Sequence, residues 1–85
     1  MPSYGNPKSR DNITAIELYG KVYEPVNEVV TIPTVHGDML VTLKKPAKRK
    51  DWFYDMSWCG KHFIMVDFDS MVEAIMAIIP ESDIL

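Results

Sequence analysis

Apolar and polar residues alternate along the stretch 13–23 (ITAIELYGKVY), which is rich in β-branched and aromatic residues. A period of two is typical of a half-buried strand. In this interpretation Ile16, Leu18 and Val22 share the buried face of one continuous strand. Gly20 interrupts the pattern, which predicts either a bulge or the close approach of another backbone segment.

Residues 28–44 have the pattern of a hairpin. The sequence His36-Gly37-Asp38-Met39 fits a tight turn in which glycine takes the first central position, where φ must be positive. Pro33 has no N–H to donate, so the first strand of this hairpin is expected at a sheet edge or at a bulge. The predicted buried face consists of Val30, Ile32, Met39, Val41 and Leu43.

A second hairpin is predicted over residues 51–68, with Cys59 and Gly60 as the central residues of its turn. The register then pairs Trp58 with Lys61 and continues along both strands. Both faces are apolar, so at least one of these strands is expected in the centre of a sheet. One face holds Trp52, Tyr54, Met56, Trp58, Phe63 and Met65, with Tyr54 opposite Met65 and Met56 opposite Phe63. The other face holds Phe53, Ile64, Val66 and Phe68.

The stretch 71–79 (MVEAIMAII) predicts a C-terminal helix that ends before Pro80. Ser70 and Glu73 have the spacing of a capping box, in which Ser70 is the N-cap. Glu73 is the one polar residue in this stretch, so the helix is expected to be buried on more than one side. The remaining cover comes either from a tail that folds back or from an interface.

The short connections favour an α+β fold: a small antiparallel sheet of about five strands, a meander of hairpins, with one C-terminal α-helix packed on it. Residues 13–85 are predicted to form this single domain. Residues 1–12 contain two prolines and one glycine and have no apolar period, which predicts a flexible N-terminal arm. An 85-residue chain has a small core that provides little net stability. Burial of apolar surface against a partner would therefore add to the stability of the fold.

Cellular location is predicted from what the sequence lacks. A single cysteine, Cys59, cannot form an internal disulfide, which favours a reducing compartment. The first residues have no apolar region typical of a signal peptide, and no apolar run has the length of a membrane span. These features predict a cytoplasmic protein that does not engage a membrane.

Few residues are candidates for chemistry. Cys59 and His62 supply two types of zinc ligand, but a structural site needs four, and His36 would join them only if two hairpin tips met. A cysteine nucleophile would also need an oriented base and a concave site. Asp67 and Asp69 could divide acid and base roles, but Asp69 is more simply a helix-entry residue favoured by the helix dipole, with Asp67 beside the capping box. We therefore expect no catalytic residue, no metal site and no cofactor, and predict that the protein is not an enzyme.

The charge distribution gives the strongest functional signal. Five of the nine basic residues lie in 44–50, whereas the rest of the chain holds twelve acidic and four basic residues. This basic segment, residues 44–50, is followed by aromatic residues. The predicted partner-binding residues are Lys44, Lys45, Lys48, Arg49, Lys50 and Trp52.

Two functions are compatible with that signal. The leading prediction is a small binding protein that contacts another protein, as regulators and inhibitors do, including accessory proteins of phages and mobile elements that inhibit a host factor. The alternative is a single-stranded nucleic-acid-binding protein, in which the basic segment holds phosphates while Trp52 and Tyr54 stack on bases. A homodimer formed through the C-terminal helix is a further expectation.

Overall fold

The computed structural model describes residues 13–46 and 52–85, which form six strands and one α-helix. The predicted α+β class is confirmed, but these strands form a two-stranded sheet, β1-β2, and a four-stranded antiparallel sheet, β3-β4-β5-β6, instead of one sheet of about five. The predicted arm, residues 1–12, lies outside the described residues. The elements are β1 (Ile16–Leu18), β2 (Lys21–Tyr23), β3 (Val30–Ile32), β4 (Met39–Lys44), β5 (Phe53–Trp58), β6 (Lys61–Met65), α1 (Phe68–Ile78) and a 3₁₀ turn (Glu81–Asp83).

The small sheet arises because the stretch predicted as one strand turns back on itself. Tyr19 and Gly20 have φ angles of 51° and 82°, as the two central residues of a tight hairpin turn require. The predicted bulge or close approach at Gly20 is wrong, since no atom lies within 4 Å of the position that a Cβ would take there. Val22 pairs with Glu17 and is exposed, so its predicted place on the buried face of Leu18 is also wrong.

The first hairpin of the large sheet has the predicted buried face but a different connection. Ile32 pairs with Met39, so six residues join the strands and the predicted tight turn is wrong. Thr34, which is buried, organises this loop: its hydroxyl donates to the carbonyl of Gly37 at 2.6 Å and accepts from the amide of His36 at 3.1 Å. The fully buried members of the face are Val30, Ile32, Met39 and Val41, and Leu43 is half-buried against them.

β3 is an edge strand, as the proline in its connection predicts. The C-terminal tail runs beside this edge. The amide of Val35 donates to the carbonyl of Asp83 at 2.9 Å, and the amide of Leu85 donates to the carbonyl of Pro33 at 3.1 Å. The tail therefore folds back, which is one of the two outcomes expected for it, and it satisfies backbone groups of the residues that follow β3.

The second hairpin has the predicted register. Cys59 and Gly60 form the turn with φ angles of 53° and 74°, Trp58 pairs with Lys61, and the remaining pairs follow as expected. β5 lies between β4 and β6, so the expected central strand is confirmed. On the second apolar face, however, Ile64 is exposed.

The helix starts three residues before its predicted beginning. Asp67 is the N-cap, and its carboxylate accepts a hydrogen bond from the amide of Ser70 at 3.0 Å. The predicted capping box with Ser70 as the cap is wrong, because Ser70 already lies in the first helical turn. The helix ends at Ile78, with Pro80 beyond it as predicted.

α1 contacts both sheets, through β1 and β6. It buries Met71 and Ile75 completely, and the phenolic oxygen of Tyr19 lies 3.0 Å and 2.9 Å from the carbonyl oxygens of Met76 and Ile79. The N-terminal hairpin thus supplies the second cover that this apolar helix needs. The buried apolar core consists of Ile13, Ile16, Leu18, Val30, Ile32, Met39, Val41, Met56, Met71, Ile75 and Ile79.

Candidate interaction surface

The large sheet has one face turned away from the core, called here the outer face. Alternation along β4, β5 and β6 places every second residue there. Three large apolar side chains are exposed on or directly beside this face: Leu40 by 43%, Ile64 by 60% and Val66 by 74%. Such exposure means that no element in the described part of the chain covers this side of the sheet.

Four of the residues at one end of this face form what we call the outer patch: Lys44, Phe53, Ile64 and Val66. Lys44 pairs directly with Phe53 across β4 and β5. Ile64 pairs with the neighbouring residue Asp55 and is therefore diagonal to Phe53, at a spacing of about 7–8 Å that long side chains bridge. Val66 lies one residue beyond β6 and continues its alternation.

An ionisable pair lies beside the outer patch. The Nδ1 atom of His62 is 3.1 Å from Oδ1 of Asp55, and the two residues sit on adjacent strands of the outer face. The histidine side chain is largely exposed, whereas that of Asp55 is mostly covered. The pair provides one acceptor and one titratable ring next to Ile64, so the face combines apolar area with a few polar groups.

The structure brings together three of the six predicted partner-binding residues. Lys44 and Lys45 are exposed at the end of β4, and the Nζ atom of Lys45 lies 5.9 Å from the centre of the Trp52 ring. That distance allows a cation–π contact. Trp52 is 38% exposed. The other three predicted residues, Lys48, Arg49 and Lys50, lie outside the described residues.

Tyr54 does not join this exposed group. It packs against the core, and its ring meets the Phe68 ring edge-on, with 5.8 Å between the ring centres. Burial, with a smaller contribution from the charge of Asp67, raises the pKa of Tyr54 above its ordinary value. Tyr54 is therefore half-buried, and its predicted role as a stacking residue for bases stays a prediction.

The β3–β4 connection and the β5–β6 turn lie in contact, as a metal site shared by His36, Cys59 and His62 would require. The Trp58 indole N–H points between the Thr34 hydroxyl and the Gly37 carbonyl, each 3.2 Å away. The Sγ atom of Cys59 lies 3.7 Å from the carbonyl oxygen of His36. Residues 13–46 and 52–85 nevertheless contain no group of three or more His, Cys, Asp or Glu side chains that could hold a metal ion.

A groove separates the N-terminal hairpin from the C-terminal tail. Its volume is about 350 Å³, and Lys21 crosses it, with the ammonium 3.4 Å from the carbonyl oxygen of Leu85. The residues around the groove include no cysteine, histidine or serine. Its lining consists of Leu18, Tyr19, Lys21, Tyr23, Glu81 and Ile84.

Sequence reasoning missed the outer patch because it assigned Phe53, Ile64 and Val66 to a second buried face. The pattern of an apolar strand face is the same whether the chain itself or a partner covers that face. The number of predicted elements was the available signal. One helix covers one side of a sheet, and the sequence pattern predicts no second helix for the other side.

No helix in the described ranges is both long and apolar enough to cross a lipid bilayer. Comparison with protein-family models, with curated proteins and with solved structures gives no match.

Proposed function

We propose that this chain is a non-enzymatic binding domain, a cytoplasmic regulator or inhibitor that acts by occupying an acidic surface of another protein. The observation that carries the proposal is the outer patch, in which exposed apolar side chains adjoin the start of the basic segment. The contact would use Lys44, Phe53, Ile64 and Val66, extended by Lys45 and Trp52.

The apolar part of the patch supports a macromolecular contact. A sheet with one solvated face usually carries polar residues there. Ile64 and Val66 expose 60% and 74% of their surface instead, and Phe53 adjoins them. Exposed apolar clusters rimmed by charged residues are typical of protein-binding sites, where the apolar centre is desolvated and the rim remains wet.

Charge favours an acidic partner. Lys44 lies within the patch, Lys45 lies beside it, and both belong to the basic segment, whereas the rest of the chain is predominantly acidic. The basic region attracts an acidic surface, whereas the acidic remainder of the domain repels it. The two effects together orient an approaching acidic partner. The carboxylate of Asp55 lies on the same face, 3.1 Å from His62.

A second function, single-stranded nucleic-acid binding, is favoured by one observation. Trp52 is partly exposed and lies next to Lys45, so an unpaired base could stack on its ring while lysines hold phosphates. Tyr54 packs partly against the core, so Trp52 is the more exposed of the two predicted stacking residues. Binding of this kind would weaken steeply with salt and quench tryptophan fluorescence.

Affinity capture from a lysate of the source organism, with and without nuclease, tests the proposal. Lys44→Glu is the test variant, and Lys21→Glu is the matched control, because it makes the same charge change on an exposed strand residue of the other sheet. Wild type and the control should retain a defined protein after nuclease treatment, whereas Lys44→Glu should retain much less.

Two results would contradict protein binding through the patch. One is the absence of any enriched protein at low salt. The other is equal retention by Lys44→Glu and Lys21→Glu. Retention that disappears with nuclease would instead favour the nucleic-acid function, and fluorescence titration of Trp52 with an oligonucleotide at low salt would then decide it.

A further inference from the structure

The two edges of the large sheet differ in how they are protected. β3 is three residues long, is followed by Pro33, and runs beside the C-terminal tail, which accepts and donates backbone hydrogen bonds at this end. Short length, proline and a covering segment are the devices by which proteins prevent edge-to-edge pairing. The β3 edge is therefore closed to a further strand.

β6 has none of these devices. It is five residues long, Lys61–Met65, it contains no proline, and its partner in the sheet is β5 alone. The helix that contacts β6 belongs to the core side of the sheet, where Phe63 and Met65 pack. Among the residues that the structure describes, the edge is thus an unblocked strand, in which Phe63 and Ile64 are residue types that favour β-structure.

The hairpin turn determines which backbone groups this edge presents. The residues that flank a two-residue turn exchange hydrogen bonds, so Lys61 faces Trp58 in this way. Alternation then directs the backbone groups of Phe63 and Met65 towards β5. Those of His62 and Ile64 point outward, away from the sheet.

We propose that β6 pairs antiparallel with β6 of a second copy of this chain, about a two-fold axis at Ile64. Ile64 then exchanges both backbone hydrogen bonds with Ile64 of the second copy, and His62 does so with Val66. The four-stranded sheets join into a continuous sheet of eight strands. Such strand addition uses main-chain hydrogen bonds for affinity and side-chain pairs for register.

Charge selects this register over its neighbours. With the axis at Ile64, Lys61 faces Asp67 of the second copy twice, in non-hydrogen-bonded pairs whose side chains lie closest. Asp67 has extended backbone angles, φ −127° and ψ 138°, and its Oδ2 atom accepts the Ser70 amide, which leaves Oδ1 free within the described contacts. An axis at Phe63 would pair Lys61 with Met65 instead, and an axis at His62 would oppose two imidazole rings.

This pairing differs from the homodimer predicted through the C-terminal helix, which stays untested. Along α1 the exposed residues are Asp69, Glu73 and Ala77, so the helix presents no large apolar side chain that is fully exposed. The edge pairing also goes beyond the proposed function. It uses the edge of the sheet, leaves the outer face open, and brings two outer patches together across the axis.

Sedimentation equilibrium of the full chain over a wide concentration range is the test. The wild type should reach twice the 9.7 kDa mass of one chain. Ile64→Lys sets two ammonium groups opposite each other at about 5 Å between Cβ atoms and should abolish the dimer. Leu40→Lys is the matched control: it introduces the same residue on the same face, but on an interior strand, and should leave the dimer intact.

A charge exchange tests the register. Lys61→Glu opposes carboxylates at both ends of the pairing and should raise the dimer Kd about tenfold. Adding Asp67→Asn removes the opposing charge and keeps a good N-cap, so the double variant should recover the dimer. Circular dichroism confirms that each variant is folded, and Lys61, exposed beside the turn, tolerates replacement even if Ile64→Lys unfolds the chain.

A wild type that stays monomeric at millimolar concentration would overturn the pairing. So would a dimer that Lys61→Glu leaves unchanged. Partner capture by a monomeric Lys61→Glu variant would separate the two proposals, because Lys61 lies off the outer face.

Discussion

Tyr23 gives the sharpest test of the packing. Its hydroxyl is buried, and it has no hydrogen-bond partner among residues 13–46 and 52–85. Leaving a buried polar group unsatisfied costs about 1–3 kcal/mol. Tyr23→Phe removes the oxygen and keeps the ring. The lower end of the range applies because the ring borders the open groove of about 350 Å³, so the free energy of unfolding should rise by about 1 kcal/mol.

Tyr19→Phe is the matched control because it deletes the same atom from the same residue type. The Tyr19 hydroxyl lies 2.9 Å and 3.0 Å from two carbonyl oxygens at the end of α1, and one net hydrogen bond contributes about 1 kcal/mol. The two substitutions should therefore shift stability in opposite directions. In a domain of this size each kcal/mol corresponds to about 4–8 °C in Tm.

Urea unfolding followed by tryptophan fluorescence, with thermal unfolding as a second probe, measures both variants. The urea concentration at the unfolding midpoint should be higher for Tyr23→Phe and lower for Tyr19→Phe than for the wild type, with equal m-values. If Tyr23→Phe lowers the midpoint as much as Tyr19→Phe does, then the Tyr23 hydroxyl has a hydrogen-bond partner in the folded protein.

Two further predictions concern the start of α1 and the alkaline limit of stability. Asp67→Ala should lower the free energy of unfolding by about 1 kcal/mol, whereas Asp67→Asn should change it little; Ser70→Ala should also have little effect, and a large loss there would restore Ser70 as the cap. The pKa of Tyr54 is raised above 10.0 by burial first and by Asp67 second, so the unfolded chain loses this proton at lower pH than the folded one. Stability from this group is complete below about pH 10 and declines as the pH rises further; Tyr54→Phe should reduce that decline in urea titrations, and an unchanged slope would count against the assignment.

The β5–β6 hairpin shows how much of the fold the sequence determines. A two-residue turn with glycine fixes the register, and the register fixes which residues share a face, so a single local signal at Cys59 and Gly60 predicts all the cross-strand pairs. Pro33 narrows the position of β3 to an edge or a bulge, and the structure places it at the edge. These features depend on a few neighbouring residues and are independent of the remaining chain.

The features that sequence reasoning missed depend on tertiary context. Tyr19 adopts a positive φ that non-glycine residues rarely take, and its hydroxyl is bound to the end of a helix about sixty residues away. Asp67 and Ser70 are both residue types that cap helices, and the spacing of Ser70 and Glu73 alone favoured Ser70, which the structure places in the first turn. Whether Ile64 is covered depends on where the one helix packs, which its own pattern does not specify.

One half of the candidate site was predictable from the sequence and the other was not. The distribution of charge along the chain located the basic segment, and the structure places Lys44, Lys45 and Trp52 together at its start. The apolar half of the outer patch required the structure, because exposure of Ile64 and Val66 is a property of the assembled sheet.

Protein binding by the outer patch is decided by the amount of a defined protein that Lys44→Glu retains from nuclease-treated lysate, relative to Lys21→Glu. Lys44→Glu should retain a several-fold lower amount, whereas Lys21→Glu should retain as much as the wild type. Equal retention by the two variants would contradict protein binding by the outer patch.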